Sequence, residues 1–171
     1  IKQSERLWWF DIVHNVFYRV GMFEGFDEFF EEVFARFEQP ESWRLFPETV
    51  DVLKTLKGQG FELGIISNFD SRLFSVLRGL GIADLFDTVT ISSLAHAAKP
   101  SARIFHQALE KHAVDPDEAL HVGDSERDDG KGAQGVGLTG VLLARGEGAR
   151  PSGGTTIGNL NELLPLLSRL Q

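Results

Sequence analysis

From residue 48 onward, short apolar runs alternate with amphipathic stretches, and this alternation restricts the possible folds more than any other feature of the chain. Residues 61–66, 88–91, 119–122 and 139–143 have the length and aliphatic character of buried strands. Residues 48–57, 71–80, 101–112 and 130–135 between them have helical spacing, with Gly58, Gly60 and Gly81 as stops. Such alternation predicts a parallel sheet with helices on both faces, a three-layer Rossmann-like α/β fold. Asp115-Pro116-Asp117-Glu118 reads as a turn, 145–158 as a Gly/Ser/Thr-rich loop, and 159–170 as a closing helix that tolerates Pro165 near its start.

Two aromatic-rich helices come before any strand. The first spans 4–20, with Ser4 as its N-cap and apolar residues at Leu7, Trp8, Phe10, Ile12, Val13, Val16, Phe17 and Val20. The second follows Gly25, carries an acidic outer face and stops at Pro40. Trp8, Trp9, Phe10 and Phe17 read as core of this pair. Residues 1–43 are therefore expected to form a small helical subdomain, and 44–171 the α/β core.

A chain of 171 residues with 42% hydrophobic and 25% charged residues is long enough for one real core. Its formal charge of −8, with no basic run, excludes nucleic acid and anionic membrane as main partners. The absence of cysteine removes disulfides, thiolate metal sites and cysteine nucleophiles, and fits a reducing cytoplasm. No apolar run reaches the length of a membrane span. Nothing in the pattern speaks to oligomeric state.

Chemistry concentrates at three predicted strand ends. After the run ending at Val122 comes Gly123-Asp124-Ser125-Glu126-Arg127-Asp128-Asp129, a glycine turn followed by clustered carboxylates. Ser67-Asn68 follows the strand at 61–66, and Lys99-Pro100 precedes the helix at 101–112. In a parallel sheet the carboxyl ends of the strands share one rim, where ligands bind. Ser67 and Asn68 are candidate donors to phosphate oxygens, and Lys99 a point charge against them. Asp124 and Asp129 are candidate ligands for Mg²⁺, a hard cation often shared with substrate phosphate. Gly135-x-Gly137-x-x-Gly140 has the spacing of a dinucleotide motif, but it leads into a strand instead of opening a helix, so no such cofactor is expected.

Ile65-Ile66-Ser67-Asn68, Lys99-Pro100 with Ile104-Phe105, and Gly123-Asp124-Ser125-x-x-x-Asp129-x-x-Gly132-Ala133 resemble motifs II, III and IV of the haloacid dehalogenase superfamily, in order. The resemblance covers nearly the whole chain and makes the N-terminal helices similar to part of that family's cap. It implies that Ser67 binds the transferring phosphoryl group, that Lys99 balances charge on nucleophile and phosphate, and that Asp124 ligates Mg²⁺ with Asp129 in support, directly or through water. Asp128 falls at an alternative spacing for that support. The implied activity is Mg²⁺-dependent hydrolysis of a small phosphorylated metabolite through an aspartyl-phosphate. The alternatives are a non-catalytic binding protein on the same fold and a 2-haloacid dehalogenase, the latter opposed by Gly123-Asp124, which dehalogenating members replace with uncharged residues.

The family's nucleophile lies in an Asp-x-Asp-x-Thr sequence after its first strand, and the chain contains no such sequence. The resemblance thus places motif I upstream of Ile1 and leaves the central strand missing between those ending at Ser67 and Val122. Strands pair at about 4.8 Å, so the expected gap is roughly 10 Å wide. The chain alone is expected to be inactive.

Overall fold

The computed structural model describes residues 2–146 and 154–169. In chain order its main elements are α1 (Lys2–Val20), α2 (Phe26–Arg36), α3 (Thr49–Gly58), β1 (Gly64–Ser67), α4 (Arg72–Gly79), β2 (Thr88–Ile91), α5 (Ser92–Ala95), α6 (Ala102–His112), β3 (Leu120–Gly123), α7 (Gly132–Gln134), β4 (Thr139–Leu143), β5 (Thr155–Ile157) and α8 (Leu163–Leu167). The fold is α/β with parallel strands, and the chain divides into two compact units. One comprises 1–44 with 69–83, the other 45–68 with 84–171.

In the smaller unit, α1 and α2 pack through aromatic edges. Phe10 meets Phe30 at 5.0 Å between ring centroids, and Phe17 meets Phe26 at 5.5 Å. Phe26 and Phe30 are buried. Segment 69–72 joins these helices through a polar network. Arg72 forms a buried ion pair with Asp70 at 2.6 Å, donates to the Phe34 carbonyl at 2.7 Å and stacks 3.7 Å from the Phe34 ring centroid. Trp9 Nε1 donates to Asp70 at 2.6 Å, and Ser71 donates to the buried Glu5 carboxylate through both its backbone N–H and its hydroxyl. Every charge taken from water here has a partner, as burial demands.

Two apolar layers enclose the strands of the larger unit. Ile104, Phe105 and Leu109 of α6, with Ala133 and Leu138, form one layer, and Ile66 of β1 packs on it. Val52 and Leu56 of α3, Val141, Ile157 and Leu163 form the other, joined by Leu120 and Val122 of β3. Each such large side chain contributes roughly 1.5–3 kcal/mol by leaving water. The strands form two parallel sheets, β1-β2 and β3-β4-β5. β1 and β3, the strands on either side of the expected gap, pair with β2 and β4 and not with each other.

Several expectations need correction. Ser4 is no N-cap, because α1 already runs from Lys2. Leu7, Trp8, Ile12, Val16 and Val20 face solvent, so the apolar residues of α1 exceed the one face that α2 covers. The expected loop at 145–158 contains β5, whose Thr155-Thr156-Ile157 pairs with Val141–Leu143 and buries Ile157; residues 147–153 of it lie outside those described. The helix expected at 130–135 starts earlier as one π-helical turn, Glu126–Lys131. The closing helix is a 3₁₀ turn, Leu160–Glu162, followed by α8, and its expected end at Leu170 is outside the described residues.

Candidate functional site

All five candidate residues lie in the larger unit: Ser67 is the last residue of β1 and Asn68 follows it, Asp124 and Asp129 follow β3, and Lys99 lies in the segment between β2 and α6. Asn68 Nδ2 donates to the Lys99 carbonyl at 3.0 Å, and the Lys99 N–H donates to Asn68 Oδ1 at 2.6 Å. These reciprocal bonds fasten the segment carrying Lys99 to the end of β1. The Asn68 amide thus engages main chain through its oxygen and one of its two N–H donors, which leaves the second N–H for another acceptor. Lys99 then reaches to the end of β3, where Nζ lies 2.6 Å from Asp129 Oδ1, both side chains largely out of water.

Asp129 is the most constrained group of the site. His121 Nε2 lies 2.8 Å from the same Oδ1, and the Ser125 N–H donates to Oδ2 at 3.0 Å. Burial alone raises a carboxyl pKa, but the bonds from His121, Lys99 and Ser125 outweigh it and hold Asp129 well below the usual carboxylate range. Local sequence makes this arrangement possible. Leu120 and Val122 point to one apolar layer, so the alternation of β3 turns His121 toward the other, where its ring meets Phe105 edge-on at 5.3 Å. A Cβ on Gly123 would lie 2.1 Å from Asp129 Cγ, so only glycine lets the carboxylate sit against β3. A Cβ on Gly140 would lie 2.6 Å from the Gly130 carbonyl, which fixes a second glycine under the same loop.

Ser125 caps the π-helical turn, its hydroxyl accepting from the Asp128 backbone N–H at 3.0 Å. Asp124 is exposed, and neither its carboxylate nor the half-buried Ser67 hydroxyl bonds within the described chain. No group of three His, Cys, Asp or Glu side chains able to hold a metal occurs among the described residues. Mg²⁺, however, keeps several waters and takes only one or two protein carboxylates beside substrate phosphate. One free carboxylate, Asp124, and the less occupied Oδ2 of Asp129 fit that demand.

The structure therefore links Asn68, Lys99 and Asp129 in one chain of contacts and leaves the Ser67 hydroxyl and the Asp124 carboxylate free among the described residues. His121 was not legible as a member. Its only signal was a polar residue at an inward position of an otherwise apolar strand, opposite to Leu120 and Val122. No described helix is long and apolar enough to cross a membrane.

Comparison with known proteins shows the family of the chain. The sequence matches the haloacid dehalogenase-like hydrolase family model over residues 12–137. It is 33% identical to haloacid dehalogenase-like hydrolase domain-containing protein 3 of Bos taurus, over 96% of this chain and 68% of that protein. It is 36% identical to glyceraldehyde 3-phosphate phosphatase of Methanothermobacter thermautotrophicus over 58% of this chain and 45% of the relative. Among solved structures it superposes on a HAD phosphatase from Thermococcus onnurineus with a TM-score of 0.73 and 34% identity, over 81% of this chain and 64% of that one. Part of each relative lies outside the span that this chain covers.

Proposed function

The chain belongs to the haloacid dehalogenase-like hydrolase family, and from that premise we propose that it serves a Mg²⁺-dependent phosphohydrolase acting on a small phosphorylated metabolite in the cytoplasm. The observation that carries this reading is the run of contacts Asn68–Lys99–Asp129, which ties the end of β1 to the end of β3. The unbonded Ser67 hydroxyl and Asp124 carboxylate stand at those same two ends. An ammonium, a free hydroxyl and two carboxylates are what phosphoryl transfer requires apart from its nucleophile.

In this reading a nucleophilic Asp arrives on a strand from upstream of Ile1, between β1 and β3, and forms an aspartyl-phosphate with the substrate. A second upstream Asp gives a proton to the leaving oxygen and later takes one from water. Ser67 donates to a phosphoryl oxygen, and Lys99 sets its charge between nucleophile and phosphate. Asn68 holds Lys99 by its main chain, and His121 steadies Asp129. Asp124 would hold Mg²⁺, with Asp129 in support; the ion would supply charge neutralisation at the phosphoryl oxygens. The helices of the smaller unit correspond to part of the family's cap. Phosphatases among the relatives support the substrate class. The Asp124 carboxylate disfavours the dehalogenase alternative.

The test is phosphate release by the full-length gene product, with and without Mg²⁺, against Lys99→Ala and Asp124→Asn. Mg²⁺-dependent release that falls by about 10²-fold or more in each variant is expected. Release indifferent to Mg²⁺ or to Lys99 would overturn the assignment, and no release from any phosphate ester would favour the non-catalytic alternative. Activity of residues 1–171 alone would refute the upstream nucleophile.

A further inference from the structure

We propose that Thr88, His112 and Glu62 form a second reactive centre, in which the Thr88 hydroxyl takes an acyl group from an activated ester. This goes beyond the hydrolase reading and does not depend on it. Thr88 and Gly64 are register partners at the first positions of β2 and β1. They lie at the amino ends of those strands, about 10 Å along β1 from Ser67. His112, in the last turn of α6, joins the group together. Its Nε2 lies 2.6 Å from Thr88 Oγ1, and its Nδ1 lies 2.7 Å from Glu62 Oε2. A hydroxyl within hydrogen-bond reach of a base that a third group orients is the arrangement of an activated nucleophile. All four residues belong to the larger unit.

The partners fix the tautomer. A carboxylate offers only acceptors, so the hydrogen of the neutral imidazole sits on Nδ1 toward Glu62, and Nε2 turns its lone pair to Thr88. The Thr88 hydroxyl therefore donates, with its proton already aimed at the base. The neighbouring lysines are engaged elsewhere. Lys111 donates to the Val89 carbonyl and the Thr90 hydroxyl at 2.7 and 2.8 Å, which pins the end of α6 on β2, and Lys57 pairs with Asp87. Gly64 opens the approach. It is exposed, and a Cβ on it would lie 2.6 Å from His112 Nε2 and 3.0 Å from Thr88 Oγ1, so glycine admits the pair and sets no side chain over it. The carboxylates of Glu62 and Asp87 flank this corner and favour a neutral ester over an anionic donor. In the step, Thr88 Oγ1 bonds to the carbonyl carbon and its proton passes to Nε2. The ester's carbon–oxygen bond then breaks, and the departing oxygen takes that proton, which leaves a Thr88 ester and a neutral imidazole.

The experiment treats the 171-residue chain, which contains no cysteine to compete, with p-nitrophenyl acetate. Nitrophenolate release and mass mapping of acetylated peptides are the readouts. The parent should release a burst of about one equivalent and carry an acetyl group on Thr88. Hydroxylamine should remove that ester, as it does not remove the amide of an acetylated lysine. Thr88→Val should abolish the adduct, and Thr88→Ser should keep it. His112→Gln should slow its formation by about 10²-fold, the contribution of a positioned base. Glu62→Ala should slow it by less, with Glu62→Asp recovering part of the loss. Circular dichroism verifies folding of each variant. A parent chain with no adduct on Thr88 overturns the proposal. So does an adduct that forms as fast in folded His112→Gln, which would leave the three side chains as a fastening of α6 to β2.

Discussion

His121 Nε2 and Lys99 Nζ share a single acceptor, Asp129 Oδ1, at 2.8 and 2.6 Å. Two donors on one oxygen, with the Ser125 N–H on the other, leave the carboxylate little freedom to turn. Its orientation is set before any ligand arrives, which is the economy of a preorganised site.

Removing one of those donors should be measurable without an activity assay. His121→Ala leaves a buried carboxylate short of a partner and is expected to destabilise the larger unit by about 1–3 kcal/mol. His121→Gln, which retains an N–H donor, should recover part of that loss. Urea denaturation of the three proteins checks the order.

Asp129 also gives stability a pH dependence of known sign. Its folded pKa is depressed, so its contribution is fully present above the ordinary carboxylate value of about 3.9 and is lost as pH falls below it. Denaturation midpoints should therefore drop in acid for the parent chain. Asp129→Asn should start less stable at neutral pH and show a smaller acid-induced loss. A variant with the parent's full acid slope would contradict the assignment.

In the smaller unit, Asp70 and Arg72 form an ion pair with side chains 3% and 5% exposed. Breaking it on one side strands a buried charge, and Asp70→Asn or Arg72→Met is expected to cost about 3–5 kcal/mol. The double variant should cost less than the sum of the singles, because neither charge remains alone. Thermal denaturation of the four proteins in a double-mutant cycle reads the coupling.

Ala113 ends α6 with φ of 53°, a left-handed conformation that L side chains adopt at a cost. Ala113→Gly removes the Cβ clash and should stabilise the chain by about 1 kcal/mol, less the added entropy of its unfolded state. The measurement is a shift of the denaturation midpoint upward.

How far the fold could be read in advance depended on where each segment's partners lie. β2 and β4 fall on the expected residues because aliphatic and β-branched runs declare a buried strand locally. β5 hides at the end of a Gly/Ser-rich stretch, and its strand character comes from pairing with Leu142 and Leu143. Asn68 was legible as a donor but not as a donor to main chain, since its partner is 31 residues away. Nothing in the sequence marks Asp70 and Arg72 as interior; the rings of Phe34 and Trp9, far away in the chain, enclose them. The acids of the loop after β3 were plain in the sequence, whereas the division of labour between a free Asp124 and a triply held Asp129 required the geometry of Gly123.

The clasp between Asn68 and residue 99 uses the amide and carbonyl of that residue and nothing of its side chain. Placement and reactivity are thereby uncoupled at this position. Any amino acid with a backbone N–H would be delivered to the same spot, so residue 99 can be re-chosen, by selection or by chemical synthesis, without rebuilding the loop that presents it. The fold offers a socket at the rim, and lysine is the plug it carries now.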